Sequence, residues 1–169
     1  MGGLLPQEYH KSIFEIDLER LRRMGKRAIL LDLDNTLVRW NDPHPTPALL
    51  DWLAAVRAHG LMPCIVSNNS GPRVREFAAR AGVSFVSGAS KPRRKGFLQA
   101  MQQLGVAPHE TVVVGDQLFT DILGGNRAGA YTILVVPLDR REFIGTRLVR
   151  LIERRVLQYL FRRGLLAPK

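Results

Sequence analysis

The sequence predicts an α/β fold, a three-layer sandwich with a mostly parallel central sheet. Two observations carry the prediction. Short apolar runs of strand length alternate along the chain with segments of helical length, the pattern of repeated strand–helix units. The runs also end in residues that a buried strand does not accommodate: Asp32 and Asp34, then Ser67, then Lys91 a few residues past a third run, then Asp116 with Asp121 close behind. In open α/β sheets the carboxyl ends of the strands are where ligands bind.

The elements follow in order. Residues 12–24 read as a helix, with Ser12 and Glu15 spaced as a capping box, Ile13, Ile16, Leu18 and Leu21 as apolar content, and Gly25 as its end. Residues 27–32 form the first strand. Residues 41–47 carry three prolines and read as a rigid loop. A helix over about 47–59 leads through Gly60 to a strand ending at Val66. The next helix, 72–81, opens with Pro72, as helices prefer. A short strand over 83–86 and a loop and helix over 91–104 precede the strand that starts at Thr111. A helix over 116–126 and Gly129 then lead to a fifth strand, 131–136. Residues 143–163 read as a basic amphipathic helix. One domain spanning 1–169 is expected.

Composition narrows the class. Hydrophobic content of 46% and mean hydropathy near zero fit a globular protein. A single cysteine, Cys64, excludes an intrachain disulfide framework and sits inside an apolar run, where it reads as a core thiol. No stretch approaches the roughly 18 apolar residues of a membrane span. The N-terminus lacks the basic start and apolar stretch of a signal peptide. The expected location is the cytoplasm. Net charge is +10, and residues 140–169 hold nine Lys/Arg against two Glu, so most of the excess lies at one end. Such an end attracts phosphates, whether of lipid or of nucleic acid.

The strand ends carry the chemistry. Two carboxylates two residues apart, Asp32 and Asp34, are costly to bury without a cation and suit a site reached by solvent. Together they hold a hard divalent metal such as Mg²⁺, or one attacks phosphorus while the other handles protons. Thr36 reads as a hydrogen-bonding support for their loop. Trp40 either lines the site or packs against the proline loop. His10, His44, His59 and His109 lack metal-ligand spacing and read as surface or loop residues.

Asp32-x-Asp34-x-Thr36, Ser67, Lys91 and Gly115-Asp116-x-x-x-x-Asp121 resemble, in order, the four motifs of the haloacid dehalogenase-like (HAD-like) superfamily of phosphatases. The resemblance runs from about Ile29 to Pro137. Ser67-Asn68-Asn69, Ala89-Ser90-Lys91-Pro92, Gln117-Leu118-Phe119-Thr120 and Gly124-Gly125-Asn126-Arg127 look like the YqeG-type branch, a capless class IIIA group similar to phosphatidylglycerophosphate phosphatases. The resemblance implies a Rossmann-like fold with no cap domain. It implies Asp32 as nucleophile forming an aspartyl-phosphate, and Asp34 as acid and then base. Ser67, Asn68 and Lys91 would bind the phosphoryl group, with Ser67 and Lys91 also counted in the catalytic set. Mg²⁺ would be held by Asp32, Asp34 through its backbone carbonyl, Asp116 and Asp121. Members with a lid insert tens of residues after the first or second motif, and this chain has no room for one. An uncovered site suits a large or surface-held substrate.

The basic helix over 143–163 has two readings. Its apolar residues Ile144, Leu148, Leu151, Ile152, Tyr159 and Leu160 either pack on the sheet or lie on an anionic membrane, with arginines toward lipid phosphates. The expected activity is therefore a Mg²⁺-dependent phosphomonoesterase acting on a lipid head group, phosphatidylglycerophosphate first, peripheral on the inner face of the membrane. The alternatives are a phosphatase for a nucleic-acid end, a protein or a soluble ester, and a non-catalytic RNA- or ribosome-binding protein of the same fold.

Overall fold

Among the described residues six strands form one sheet: β1 (Glu8–His10), β2 (Ala28–Leu31), β3 (Met62–Val66), β4 (Ser84–Val86), β5 (Thr111–Gly115) and β6 (Tyr131–Val135). Their order is β1-β6-β5-β2-β3-β4, and every pairing is parallel. The computed structural model describes residues 2–139 and 146–167. The helices are α1 (Leu18–Arg23), α2 (Pro47–Ala58), α3 (Pro72–Ala81), α4 (Lys95–Leu104), α5 (Leu123–Arg127) and α6 (Thr146–Arg162).

Strand periodicity sorts the core into two layers, because successive side chains point to opposite faces. Ile29 and Leu31 of β2, Ile65 of β3 and Val112 and Val114 of β5 pack with Leu49, Leu53 and Val56 of α2 and with Val74 and Phe77 of α3. Their neighbours Leu30, Cys64, Val66 and Val113 face the other way, onto Phe97, Ala100 and Met101 of α4. Each fully buried side chain of this kind contributes about 1.5–3 kcal/mol. Cys64 is a free, buried core thiol, as its apolar surroundings in the sequence suggested.

The sheet reverses its winding at β2: the chain runs outward through β3 and β4, then returns to β5 on the opposite side. That is a topological switch point, where neighbouring loops diverge and leave a crevice at the carboxyl ends. Asp32 and Asp116 follow β2 and β5 at this point, and the Asp32 N–H donates to the Val114 carbonyl at 3.0 Å. Between β2 and α2 there is only a loop, which Thr46 ends by capping α2, its Oγ1 accepting from Leu49 N–H. Among the described residues no cap stands over the crevice.

The structure departs from the sequence-based elements in three places. The N-terminal helix is only α1, preceded by a 3-10 turn at Ile13–Glu15. Asp17, not Ser12, is its cap, and Glu15 instead accepts from the Lys11 N–H. β1 is an additional strand. It was hidden because its inward residues are Glu8 and His10, which satisfy one another (2.7 Å) while Glu8 also meets Arg20 and Tyr131. His10 is thus buried, not a surface residue. The segment over 116–126 is a π-helical turn, Leu118–Ile122, running into α5. The last helix begins at Thr146 among the described residues, and Phe143 and Ile144 lie outside them.

α6 packs on the sheet with only part of the apolar stripe read from the sequence. Val156 and Leu157 rest against Leu118, Ile122 and Leu134, Leu160 is buried, and Phe161 meets Tyr9 edge-on at 5.4 Å. Leu148, Leu151, Ile152 and Tyr159 are exposed.

Candidate active site

The loop after β2 sets the geometry of the crevice. Leu33 is fully buried and anchors it, so Asp32 and Asp34 fall on the other side. Asn35 adopts a left-handed conformation (φ 64°) that turns the chain back, its N–H donating to the Val38 carbonyl at 2.7 Å. The turn brings Thr36 under the site. Its hydroxyl lies 3.0 Å from Asp116 Oδ1 and 3.2 Å from Asp32 Oδ2, so its single proton is shared between two carboxylates.

Lys91 is buried, and its ammonium bridges Asp32 Oδ1 (2.6 Å) and Asp121 Oδ1 (2.7 Å). Asn68 fixes it from behind: the Asn68 amide accepts from Lys91 N–H (2.6 Å) and donates to Lys91 O (3.2 Å). Burial pulls the Lys91 pKa down, but Asp121 and Asp32 outweigh it and the net shift is upward. The ammonium stays charged.

Asp121 reaches back over β5 from the π-helical turn, and Gly115 makes this approach possible. A Cβ at position 115 would stand 2.2 Å from the Asp121 carboxyl carbon. Asp116 accepts from Thr36 and from the guanidinium of Arg150, which also donates to the Asp116 carbonyl (2.7 Å) and to Glu153 (3.1 Å).

Asp32, Asp116 and Asp121 place carboxylate oxygens within 4.8 Å of one another. Three carboxylates meet two cations here, Lys91 and Arg150. The shortfall is visible in their acidity. Burial, then Asp32, raises Asp116 well above the ordinary carboxylate range, against the opposing pull of Arg150. Burial raises Asp121 to about 6, with Lys91 opposing and Asp32 adding. A cluster of hard oxygen donors short of positive charge fits a divalent cation. Asp34 does not bring its carboxylate to this cluster; only its backbone carbonyl is left for such a role. Both oxygens of the Asp34 carboxylate accept from one Arg73 nitrogen, Nη2, and Oδ1 also accepts from Asn41 N–H (3.0 Å). Arg73 also donates to the Asp42 carbonyl (2.9 Å), which ties the proline-rich loop to α3.

Asp32, Asp34, Ser67, Asn68 and Lys91 line one open pocket of about 140 Å³, with Asn35, Trp40, Asn69, Gln117 and Thr120 completing its wall. Trp40 therefore lines the site, one of its two readings. Ser67 is buried at the pocket floor, where its Oγ accepts from Asn69 N–H (3.1 Å). A larger cavity of about 440 Å³ lies behind Asp116, between the end of β6 and α6. Sequence reasoning missed Arg73, and it placed Arg150 on the basic face of the last helix, whereas the structure turns it inward to Asp116. Arg73 has no motif around it. Arg150 had one legible signal, Glu153 three residues on, a spacing at which opposite charges pair along a helix.

A family model described as haloacid dehalogenase-like hydrolase matches residues 39–129. The protein named Probable phosphatase YqeG, of Bacillus subtilis (strain 168), is 44% identical over 95% of this chain and 93% of its own length. Phosphatidylglycerophosphate phosphatase 1, chloroplastic/mitochondrial, of Arabidopsis thaliana is 30% identical over 96% of this chain and 49% of its own length. Among solved structures, the cobalt-bound deoxy-D-mannose-octulosonate 8-phosphate phosphatase YrbI of Haemophilus influenzae superposes with a TM-score of 0.53. It is 15% identical, covering 66% of this chain and 69% of that one, a likeness of fold. The chain belongs to the haloacid dehalogenase-like hydrolases. Its enzymatic class within them is phosphatase, and the likeness is to the YqeG-type branch and to phosphatidylglycerophosphate phosphatases.

Proposed function

We propose that this phosphatase is a Mg²⁺-dependent phosphomonoesterase that works through an aspartyl-phosphate on Asp32. Its proposed substrate is phosphatidylglycerophosphate, taken at the inner face of a membrane that it meets through its basic C-terminal helix. The observation that carries the chemistry is that Asp32, Asp34, Ser67 and Lys91 line one open pocket. The lipid is supported by the Arabidopsis relative, by the open crevice and by the charge of α6. Among the described residues no helix is long and apolar enough to cross a membrane, so contact with the bilayer would be peripheral.

The Asp32 carboxylate attacks phosphorus, and the bond from phosphorus to the ester oxygen breaks. Asp34 gives its proton to the departing oxygen, which a poor alkoxide leaving group requires. Asp34 then takes a proton from water, whose oxygen attacks phosphorus; the bond to Asp32 breaks and inorganic phosphate leaves. Ser67, Lys91 and the backbone N–H groups after Ser67 receive the phosphoryl oxygens, and the ammonium offsets charge that grows in the transition state. Asp32, Asp116, Asp121 and the Asp34 carbonyl would hold Mg²⁺, which supplies charge neutralisation between nucleophile and phosphate.

The test is phosphate release from phosphatidylglycerophosphate in mixed micelles, with Mg²⁺ or EDTA, beside a panel of soluble phosphates and the Asp32→Asn variant. Release that prefers the lipid and needs both Mg²⁺ and Asp32 is the expected result. Activity on soluble esters alone would keep the phosphatase and discard the lipid.

A further inference from the structure

α6 has two unlike faces. Its inner face fastens it to the domain: Arg150 holds Asp116, Glu153 accepts from the Phe119 N–H (3.2 Å), and Leu160 is buried. Its outer face carries Leu148 (68% exposed), Leu151 (54%), Ile152 (48%) and Tyr159 (39%). Single exposed leucines are ordinary, but four large apolar side chains on one side of a well-docked helix are not. Arg154, Arg155, Arg162 and Arg163 are exposed along the same helix and its end, Arg155 lying between Ile152 and Tyr159. Among residues 146–167 the sole acid is Glu153, and it is turned inward.

We propose that this outer face is a bilayer-docking surface: the apolar row enters the boundary between headgroups and acyl chains of an anionic membrane, and the arginines meet lipid phosphates. Apolar residues interleaved with arginine, on a helix that carries no outward acid, are what an interfacial helix needs. A second copy of the chain would bring arginine against arginine across the contact, which opposes that occupant. The proposal rests on the lipid-phosphatase reading and gives it an orientation. Leu151 shares a cavity wall with Asp116 and Val136, and Leu138, also exposed, donates its N–H to the carbonyl of Asn35 in the catalytic loop (2.9 Å). Docking through α6 therefore turns the catalytic edge of the sheet toward the lipid surface.

The experiment is flotation of the full chain with phosphatidylcholine vesicles made with or without phosphatidylglycerol. It compares the wild type, a Leu148→Glu/Ile152→Glu variant and an Arg155→Gln/Arg162→Gln variant. Hydrolysis of p-nitrophenyl phosphate in solution and the melting temperature are followed in parallel. The wild type is expected to float only with the anionic vesicles, and less at high salt. Each variant is expected to lose at least ~10-fold in vesicle affinity while hydrolysing the soluble ester as before. Flotation of both variants like the wild type would overturn the proposal. So would a wild type that floats with neither vesicle, or one that is a dimer which the variants dissociate. If micellar phosphatidylglycerophosphate is not hydrolysed although vesicles bind, the substrate reading fails and the docking face stands. Hydrolysis without vesicle binding keeps the substrate and discards the docking face.

Discussion

Asp116 and Asp121 lie five positions apart, both are buried at the end of β5, and each meets one cation. The cations come from opposite directions. Lys91 reaches Asp121 from the loop that follows β4, held by Asn68, so this pair is made wholly within the sheet's own strand ends. Arg150 reaches Asp116 from α6, the last of the described helices. One half of the acidic cluster is thus built into the core, and the other half is completed by an element that can be perturbed from outside. Deleting the C-terminal segment would remove Arg150 from Asp116 along with the basic surface, so point variants on the outer face are the cleaner probe.

The largest contrast should come from the lysine. Lys91→Met removes the cation that would face the transition state, and phosphate release should fall by ~10²–10³-fold without recovery at high Mg²⁺. Arg150→Met acts through Asp116, and its loss should be about 10–100-fold, appearing as weaker metal affinity. Titrating Mg²⁺ against activity, and Mn²⁺ binding by electron paramagnetic resonance, separates the two. Equal responses in both variants would erase the distinction between core and helix.

A third variant asks whether Asp34 is held in place from outside in the same way. Arg73→Leu frees the Asp34 carboxylate, and the damage should be about 10-fold greater for an alkyl phosphate than for p-nitrophenyl phosphate, whose leaving group needs no proton. Asp34→Asn is the reference. Uniform loss on both substrates would reduce Arg73 to a structural tie between α3 and the proline loop.

The last effect concerns stability. Without metal, Asp116 and Asp121 hold protons more readily in the folded chain than in the unfolded one, where an aspartate titrates near pH 4. Stability linked to Asp121 is fully present below about pH 4 and is lost as pH rises through about 6. In EDTA, the chain should lose about 1–3 kcal/mol across that window relative to an Asp121→Asn variant, and Mg²⁺ should cancel the loss. Parallel melting curves for the two proteins would show that the carboxylate carries no such penalty.

Legibility in the sequence followed the physics of each part. Strands β2, β3 and β5 are apolar runs buried on both faces, and they were plain. The residues that follow the strands, Asp32 after β2, Ser67 after β3, Lys91 in the loop after β4 and Asp116 after β5, do meet at one edge, because strand ends in a parallel sheet are brought together by topology rather than by local sequence. β1 was opaque, since a strand whose inward side chains are Glu8 and His10 has no apolar alternation to read. The faces of α6 were misleading for a related reason. Of the apolar stripe read there, Leu160 docks beside Glu153, Val156 and Leu157, whereas Leu148, Leu151, Ile152 and Tyr159 point away. Arg73 and Arg150 needed coordinates, because long side chains select their partners across the fold.

Gly115 has a consequence for anyone who would make this enzyme more robust. Replacing a glycine in a β-strand by alanine ordinarily gains about 0.4–1 kcal/mol, by restricting the unfolded chain and favouring extended backbone. A stabilisation campaign guided by that rule would choose Gly115 early. There the added methyl would displace the Asp121 carboxyl, its nearest contact at 2.2 Å, and with it one of the partners of Lys91. The strand would keep its hydrogen bonds while the buried acidic cluster came apart, so the substitution expected to stabilise the chain would here cost both stability and the site.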